Sequence, residues 1–228
     1  MNKLIHALIL MVIAGTAGAA EREQSVCYGT TAKGRLEKAW QLPGSGNNFT
    51  VYSRAGVAAG RNYVHSSVYA VVLDAYQSLQ QNFPDKRYVY GETGRERGGL
   101  FRPHKTHQNG LSVDFFVPVV DQGGRSVPLP ITPLNKLGYD IEFSKDGRFQ
   151  QYKIDFEAMA AHLLALKKAA DLNGVKIWRV IFDNDLQALL FRTSQGKELR
   201  AQLLFSKKKP WVRHDEHYHV DFIVPCKE

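Results

Sequence analysis

The chain has 228 residues, and 30 lysines and arginines against 22 acidic residues give it a net charge of +8 at pH 7. This length is enough for one well-packed domain and marginal for two, and no repeat or low-complexity linker divides it. The basic excess suits nucleic acid, an anionic membrane surface or an acidic cell-wall polymer, and its even spread is also compatible with an ordinary solvated surface.

The N-terminus has the layout of a secretory signal peptide. A positive start at Lys3 precedes a mostly apolar run over residues 4–14, and small residues follow up to Ala20. The run is shorter than the ~20 residues of a membrane-spanning helix, which favours a signal peptide over an anchor. We expect residues 1–20 to be removed on export to the periplasm and residues 21–228 to form one domain without stable membrane insertion. Export makes a cell-wall polymer the expected partner, and no nucleic acid is expected.

Two cysteines occur, Cys27 just after the expected cleavage point and Cys226 near the other end. In an exported protein an even pair is most simply a disulfide, which here would tie the two ends of the domain together. Their long separation argues against a cysteine-based zinc site. On the chain-entropy model, closing so long a loop stabilises the fold by ~4–5 kcal/mol.

Helices and strands are predicted in irregular alternation along the domain. From residue 21 to about residue 62 no period is sustained, and irregular segments with short strands are expected. Apolar residues at helical spacing predict long helices at 65–81 and 155–172, each followed by a Pro or Gly that ends it. Strands are predicted at 87–93, 111–117, 175–182 and 218–224, and a short helix at 185–191. Without regular βαβ alternation, the expected class is α+β, with a small antiparallel sheet flanked by two helices.

Five of the eight histidines are concentrated in two short stretches, residues 104–114 and 214–221. The residues of interest are His104, His107 and Asp114 in the first and His214, His217, His219 and Asp221 in the second. Imidazole is the commonest protein ligand for zinc and titrates near neutral pH. Such crowding therefore indicates chemistry rather than packing.

Strand geometry predicts how the two stretches combine. Side chains two residues apart project from the same face of a strand, so His217, His219 and Asp221 point together. If the strand after His107 is a neighbour, His107, Asp114 and one of His217 or His219 meet at one ion. Two imidazoles and one carboxylate, with water as the fourth ligand, form the pattern of a catalytic zinc.

A site of this kind predicts hydrolysis of an amide bond. Zinc lowers the pKa of a bound water towards ~7 and polarises the carbonyl that is attacked. A general base must take a proton and pass it to the leaving amine. His214 and whichever of His217 and His219 is not a ligand are suited to that work.

These motifs resemble a known family. The pattern His104-x-x-His107-Gln108-x-Gly110-x-x-x-Asp114, together with His214-x-x-His217-x-His219, resembles the penicillin-insensitive murein endopeptidases. That family belongs to the lysostaphin, D-Ala-D-Ala peptidase and hedgehog superfamily of zinc peptidases. The resemblance covers most of the domain in element order and is looser before about residue 63. It implies a fold like that of the hedgehog and D-Ala-D-Ala peptidase proteins.

The resemblance also implies roles for individual residues. The implied zinc ligands are His107, Asp114 and His219. His217 is implied to be the catalytic histidine, with His104 and His214 as accessory residues of the site. Much of the superfamily has Glu at the position of His214, usually as the base, so the base here is either His214 or His217. The implied substrates are peptidoglycan cross-links between D-Ala and meso-diaminopimelate, or between two diaminopimelates.

Several alternatives accompany this interpretation. Arg97 and Arg102 are expected to bind substrate carboxylates in a bidentate manner, or else are plain surface arginines. The same zinc site with a more enclosed pocket would serve a D-Ala-D-Ala carboxypeptidase or dipeptidase. A zinc-containing cell-wall-binding module that has lost catalysis is a further alternative. A histidine-metal nuclease is suggested by the basic charge but disfavoured by the signal peptide.

Overall fold

The structure is a computed structural model that describes residues 22–208 and 212–228. The predicted signal peptide, residues 1–20, lies outside the described residues. The strands are β1 (Val26–Thr30), β2 (Lys33–Glu37), β3 (Trp40–Gln41), β4 (Phe49–Val51), β5 (Tyr63–Val64), β6 (Tyr88–Tyr90), β7 (Ser112–Phe116), β8 (Val119–Val120), β9 (Ser126–Val127), β10 (Arg148–Phe149), β11 (Tyr152–Ile154), β12 (Lys176–Ile181) and β13 (His217–Ile223). The helices are α1 (Arg54–Ala58), α2 (Ser66–Asn82), α3 (Phe156–Leu172), α4 (Asn184–Leu190) and α5 (Gly196–Gln202). No helix in the described ranges is long and apolar enough to cross a membrane.

A five-stranded sheet forms the centre of the fold, in the order β12-β13-β7-β6-β4. Its neighbouring strands are antiparallel except for β4 and β6 at one edge, which run parallel. The strand latest in the chain, β13, therefore lies between β12 and β7. The predicted α+β class, with a small sheet flanked by helices, is confirmed, and the parallel edge pair is an addition to it.

Strands β7 and β13 alternate between an apolar face and a polar face. Val113 and Phe115 of β7 and Tyr218 of β13 are buried in the core on the face that α2 and α3 cover. There the ring of Phe115 lies 4.7 Å from that of His162 in α3 and 6.5 Å from that of Tyr76 in α2. Each such burial contributes about 1.5–3 kcal/mol. A shift of one residue in register would turn the whole set outwards, so this core fixes which side chains reach the opposite face.

Helices α2 and α3 pack against each other and are capped at their predicted starts. Nδ1 of His65 accepts a hydrogen bond from the backbone N–H of Ser67 at 3.1 Å. Oδ1 of Asp155 accepts one from the N–H of Ala158 at 3.0 Å, satisfying a donor that the first helical turn leaves unpaired. Nζ of Lys86 lies 2.5 Å from Oδ2 of Asp155, which ties the start of α3 to the segment after α2. Both helix predictions are confirmed to within one residue at each end.

The two ends of the domain are joined covalently. Cys27 and Cys226 form the predicted disulfide. Beside it, the N–H of Gly29 donates to the carbonyl of Lys227 at 2.8 Å, and the N–H of Lys227 donates to the carbonyl of Cys27 at 2.9 Å. The hairpin of β1 and β2 is therefore fastened to the segment that follows β13.

Some elements were not predicted from the sequence. They are the β1–β2 hairpin, a second sheet in the order β10-β11-β8-β9, helix α5, and a 3-10 segment at Pro133–Gly138. The strands of the second sheet are two or three residues long, too short to show a period. The 3-10 segment matters for function because it leads directly into Tyr139.

Candidate active site

Strands β7 and β13 bring the two histidine stretches together. Their register pairs His219 with Asp114 and His217 with Phe116. These side chains leave the sheet on the face opposite the helices, as the two-residue period of a strand requires. The predicted adjacency of the two strands is confirmed.

His107 reaches this face from the loop before β7. Its φ is 67°, in the left-handed region that residues other than glycine rarely adopt and that is concentrated at functional sites. Its Nδ1 lies 2.9 Å from the carbonyl oxygen of Thr93, so Nδ1 carries the proton and donates. Gly110, with φ 75°, allows the loop to pass close to the chain, since a Cβ there would lie 2.7 Å from the backbone nitrogen of His65.

The buried carboxylate of Asp114 is surrounded by imidazoles. Its Oδ1 lies 3.3 Å from Nε2 of His107 and 2.8 Å from Nδ1 of His219. Its Oδ2 lies 3.8 Å from Nδ1 of His104 and 3.9 Å from Nε2 of His217. One ligand atom from each of His104, His107 and Asp114 lies within 4.8 Å of the others, a grouping that could hold a metal ion.

The protonation of two of these rings fits a bound cation. Nε2 of His107 is buried and has no hydrogen-bond partner within the described ranges, and with the proton on Nδ1 it presents a lone pair to Asp114. In His219, Nε2 lies 2.8 Å from Oδ1 of Asp221, which holds a proton there and turns the Nδ1 lone pair towards Asp114. Three lone-pair atoms that face one another repel unless a positive charge lies among them. The donor set therefore fits a metal ion.

The carboxylates of Asp221 and Asp114 also favour a positive charge at His219. Burial opposes a charge on this ring, but Asp221 and Asp114 raise its pKa to about 10. A proton and a metal cation compete for the same lone pair, so an environment that favours one positive charge favours the other.

His104 lies beside the cluster but is engaged by a different carboxylate. Its Nε2 lies 2.6 Å from Oε2 of Glu92. Glu92 also accepts hydrogen bonds from Nη2 of Arg61 and the hydroxyl of Tyr52, both at 2.7 Å. Burial opposes ionisation of Glu92, but the hydrogen bonds from His104 and Arg61 lower its pKa to about 2. Glu92 in turn raises the pKa of His104 against the effect of burial, which favours imidazolium, a form that cannot bind a metal.

Two further histidines, His214 and His217, lie next to each other beside the cluster. The rings of His214 and His217 lie 4.6 Å apart, and Nδ1 of His217 lies 2.8 Å from Oε1 of Glu216. Burial raises the pKa of Glu216 and lowers that of His217, so the pair carries no net charge at neutral pH: Glu216 keeps the proton that it shares with Nδ1, and the ring's own proton is on Nε2. Burial also lowers the pKa of His214 to about 3, and its Nδ1 lies 2.9 Å from the carbonyl oxygen of Val212. His214 is therefore neutral near pH 7, with its Nε2 lone pair able to accept a proton.

Tyr139 and Glu92 belong to the site although the sequence did not single them out. The Tyr139 hydroxyl donates to Oδ2 of Asp114 at 3.1 Å and accepts from the backbone N–H of Glu92 at 3.1 Å. Tyr139 lies in an irregular segment that offers no periodic signal. Glu92 offered a weak sequence signal, because it is an acidic residue near the end of the strand predicted at 87–93.

Two cavities adjoin the cluster, and His104 lines both. The Tyr139 cavity, which Tyr139 and His217 line, has a volume of about 400 Å³. The Arg179 cavity, which Arg179, His214 and His219 line, has a volume of about 420 Å³. Open space therefore borders the cluster at His217 in one cavity and at His219 in the other.

The arginines beside these cavities differ from those predicted. Arg61 lines the Tyr139 cavity and Arg179 the other, and neither belongs to a recognisable motif. Arg97 and Arg102 are exposed, and neither is among the residues that line the two cavities. Their role in substrate binding stays a prediction.

A comparison with known protein families identifies the chain. Residues 27–228 match the model of the family described as penicillin-insensitive murein endopeptidase. No individual curated protein matches the chain. The matched range holds both histidine stretches and nearly the whole sequence. The chain therefore belongs to the penicillin-insensitive murein endopeptidase family, whose substrate is peptidoglycan.

Proposed function

We propose that this protein is a zinc-dependent endopeptidase that hydrolyses peptide cross-links of peptidoglycan, between D-Ala and meso-diaminopimelate or between two diaminopimelates. Family membership supports a cell-wall peptidase. The observation that carries the metal dependence is the convergence of His107 and His219 on the buried carboxylate of Asp114. Together with the sequence of the N-terminus, the family also supports a periplasmic location.

His107 Nε2, Asp114 Oδ1 and His219 Nδ1 are the atoms that would hold the ion. Two imidazoles and one carboxylate are the donors of catalytic zinc sites, which keep a position open. Zinc bound there supplies a Lewis acid for the scissile carbonyl and makes water acidic enough to attack it near neutral pH. Asp221 fixes the tautomer of His219, and Thr93 fixes that of His107.

His217 and His214 carry the proton transfers in this proposal. Nε2 of His217 faces the cluster, while its Nδ1 shares a proton with Glu216. In the proposed step, Nε2 of the neutral His214 accepts a proton from the attacking water, and the N–H at Nε2 of His217 donates a proton to the nitrogen of the leaving amine. The proton then passes from His214 to His217, whose rings lie 4.6 Å apart. The hydroxyl of Tyr139 holds Asp114 through its other oxygen.

The two cavities support an endopeptidase over a carboxypeptidase. A cross-linked substrate continues on both sides of the bond that is cleaved, whereas a carboxypeptidase needs space for only one or two residues on one side. Cavities of about 400 and 420 Å³ adjoin the cluster. The neutral His214 and the proton-sharing His217 support catalysis over a role in binding alone.

Digestion of purified sacculi tests the proposal. We expect the wild type to contain one equivalent of zinc and to convert cross-linked muropeptide dimers to monomers. His107→Ala should lose both the metal and the activity. His65→Gln, which replaces a buried imidazole outside the cluster, is the matched control and should keep both. Release of free D-Ala with dimers intact would assign a carboxypeptidase instead, and full activity in metal-free His107→Ala would overturn the metal mechanism.

A further inference from the structure

The two cavities beside the cluster differ in charge. In the Tyr139 cavity each basic side chain has an acidic partner: Arg61 with Glu92, Lys136 with Asp140, and Arg213 with Asp183. The Arg179 cavity is lined by Lys105, Arg179 and Lys208, and none of its described lining residues is acidic. Two acidic residues, Glu92 and Glu216, line the Tyr139 cavity, so among the described lining residues the Arg179 cavity is the more positively charged of the two.

Arg179 is fixed in position by two contacts. Its Nε donates to Oδ2 of Asp221 at 2.7 Å, and its guanidinium carbon lies 4.3 Å from the centre of the Trp178 ring. Within the described ranges Asp221 is the only acceptor that Arg179 binds, and 30% of the arginine side chain is exposed. The two terminal nitrogens are therefore left for a ligand. A guanidinium held in this way is pre-organised to bind a carboxylate through two parallel hydrogen bonds.

Asp221 links this arginine to the site itself. Its other oxygen, Oδ1, accepts a hydrogen bond from Ser112 at 2.6 Å and lies 2.8 Å from Nε2 of His219. His219 lines the same cavity as Arg179. An anion bound by Arg179 would thus be separated from His219 of the cluster by a single carboxylate.

We propose that the Arg179 cavity binds a carboxylate of the stem peptide on one side of the scissile amide. The proposal rests on the proposed function, because it assigns that substrate's anionic side to one cavity. Arg179 binds the carboxylate through its terminal nitrogens, and Lys208 adds charge at the same cavity. Cross-linked stem peptides carry this group at diaminopimelate and at a terminal D-Ala, and the chemistry of recognition is the same for both.

Substrates with single carboxylates amidated provide the test. Amidation removes the negative charge while nearly preserving size. Three substrates are compared: a cross-linked muropeptide dimer, the same dimer amidated at diaminopimelate, and the dimer amidated at the terminal D-Ala. We expect the wild type to lose about tenfold or more in kcat/KM on one amidated dimer, mainly through KM, because a charged hydrogen bond is lost. Which dimer is affected identifies the source of the carboxylate.

Variants of the cavity complete the experiment. Arg179→Gln should lower kcat/KM on the unmodified dimer about tenfold and remove the discrimination against amidation. Arg179→Lys keeps the positive charge but cannot make two parallel hydrogen bonds to a carboxylate, and it should retain part of the discrimination against amidation. Lys208→Gln should weaken the discrimination without altering the contact of Arg179 with Asp221. Lys207→Gln is the matched control, because Lys207 is exposed and is not among the residues that line the cavity, and it should behave as the wild type.

The outcomes separate this proposal from the function on which it rests. Equal kcat/KM of the wild type on all three dimers would overturn the carboxylate site alone. Unchanged discrimination in both Arg179→Gln and Lys208→Gln, at wild-type zinc content, would also overturn it. Failure of the zinc-loaded wild type to cleave any dimer would overturn the proposed function, and this proposal with it.

Discussion

Nδ1 of His219 lies 2.8 Å from Oδ1 of Asp114, across the paired strands β13 and β7. The contact joins residues that are 105 positions apart in the sequence. It exists because the two strands pair in the one register that buries Phe115 and Tyr218 on the opposite face. The packing of the core and the geometry of the site are therefore set by the same alignment of strands.

The contact between Asp221 and His219 predicts an effect on metal affinity. Asp221→Asn removes the carboxylate that holds the proton on Nε2 of His219, and we expect zinc to bind about 10–100-fold more weakly. Competition with a chromogenic chelator measures the change. Ser112→Ala removes only one donor to Asp221 and should have a smaller effect. Unchanged affinity in Asp221→Asn would contradict this orienting role.

Removal of His217 should separate proton transfer from metal binding. We expect His217→Ala to lower kcat about 100-fold or more with zinc content unchanged, since general acid–base catalysis supplies factors of this size. Glu216→Gln, which abolishes the shared proton, should lower kcat by a smaller factor and alter its pH dependence. Zinc analysis and kcat measured against pH test both. Loss of zinc in His217→Ala would instead make His217 a ligand.

His162 predicts how stability depends on pH. Burial lowers its pKa from 6.5 to about 3, so between these values the unfolded state binds more protons than the folded state. The free energy of unfolding therefore falls as pH decreases from about 6.5 towards 3, by up to about 1.4 kcal/mol per pH unit from this residue. His162→Phe should show a shallower decline in urea unfolding between pH 6.5 and 4.

We also expect His162→Phe to lower the free energy of unfolding at neutral pH. Nδ1 of His162 is hydrogen-bonded to the hydroxyl of Tyr218 in the core, and leaving that hydroxyl without a partner costs about 1–3 kcal/mol. The double variant with Tyr218→Phe removes the hydroxyl and should recover part of this loss. If His162→Phe kept the wild-type acid slope, other buried groups would be responsible for it.

The disulfide predicts a large contribution to stability. Replacing Cys27 and Cys226 by serine frees a loop of nearly the whole domain, and we expect the free energy of unfolding to fall by up to about 5 kcal/mol. Urea unfolding of the variant, compared with the wild type in the presence and absence of a reductant, measures the effect. Reduced wild type and variant should then agree. Equal free energies of unfolding for the oxidised wild type and the variant would show that the disulfide adds no stability to chain ends that hydrogen bonds already hold together.

The two-residue period of a strand made half of the site predictable. It put His217, His219 and Asp221 on one face from sequence alone, and β13 has them there, with His219 opposite Asp114. The long helices were equally accessible, because apolar spacing and a capping residue such as Asp155 are local signals. Local rules therefore predicted these longer elements and the direction of the side chains on β13.

Residues brought in by tertiary contacts were not predictable in this way. Tyr139 contacts Asp114 from an irregular segment. Arg61 contacts Glu92, although helix α2 lies between the two residues in the sequence. Arg179 lies in a predicted strand, but its proximity to the site follows from the pairing of β12 with β13. Such contacts depend on which elements become neighbours, and a single sequence does not state this.

The place of β13 between β12 and β7 has a consequence for the timing of activity. During synthesis, every other strand of this sheet leaves the ribosome before β13. Until β13 enters the gap between β12 and β7, His107 and Asp114 lack His217 and His219, and Cys27 lacks its partner. The cluster is therefore complete only when the last strand has joined the sheet.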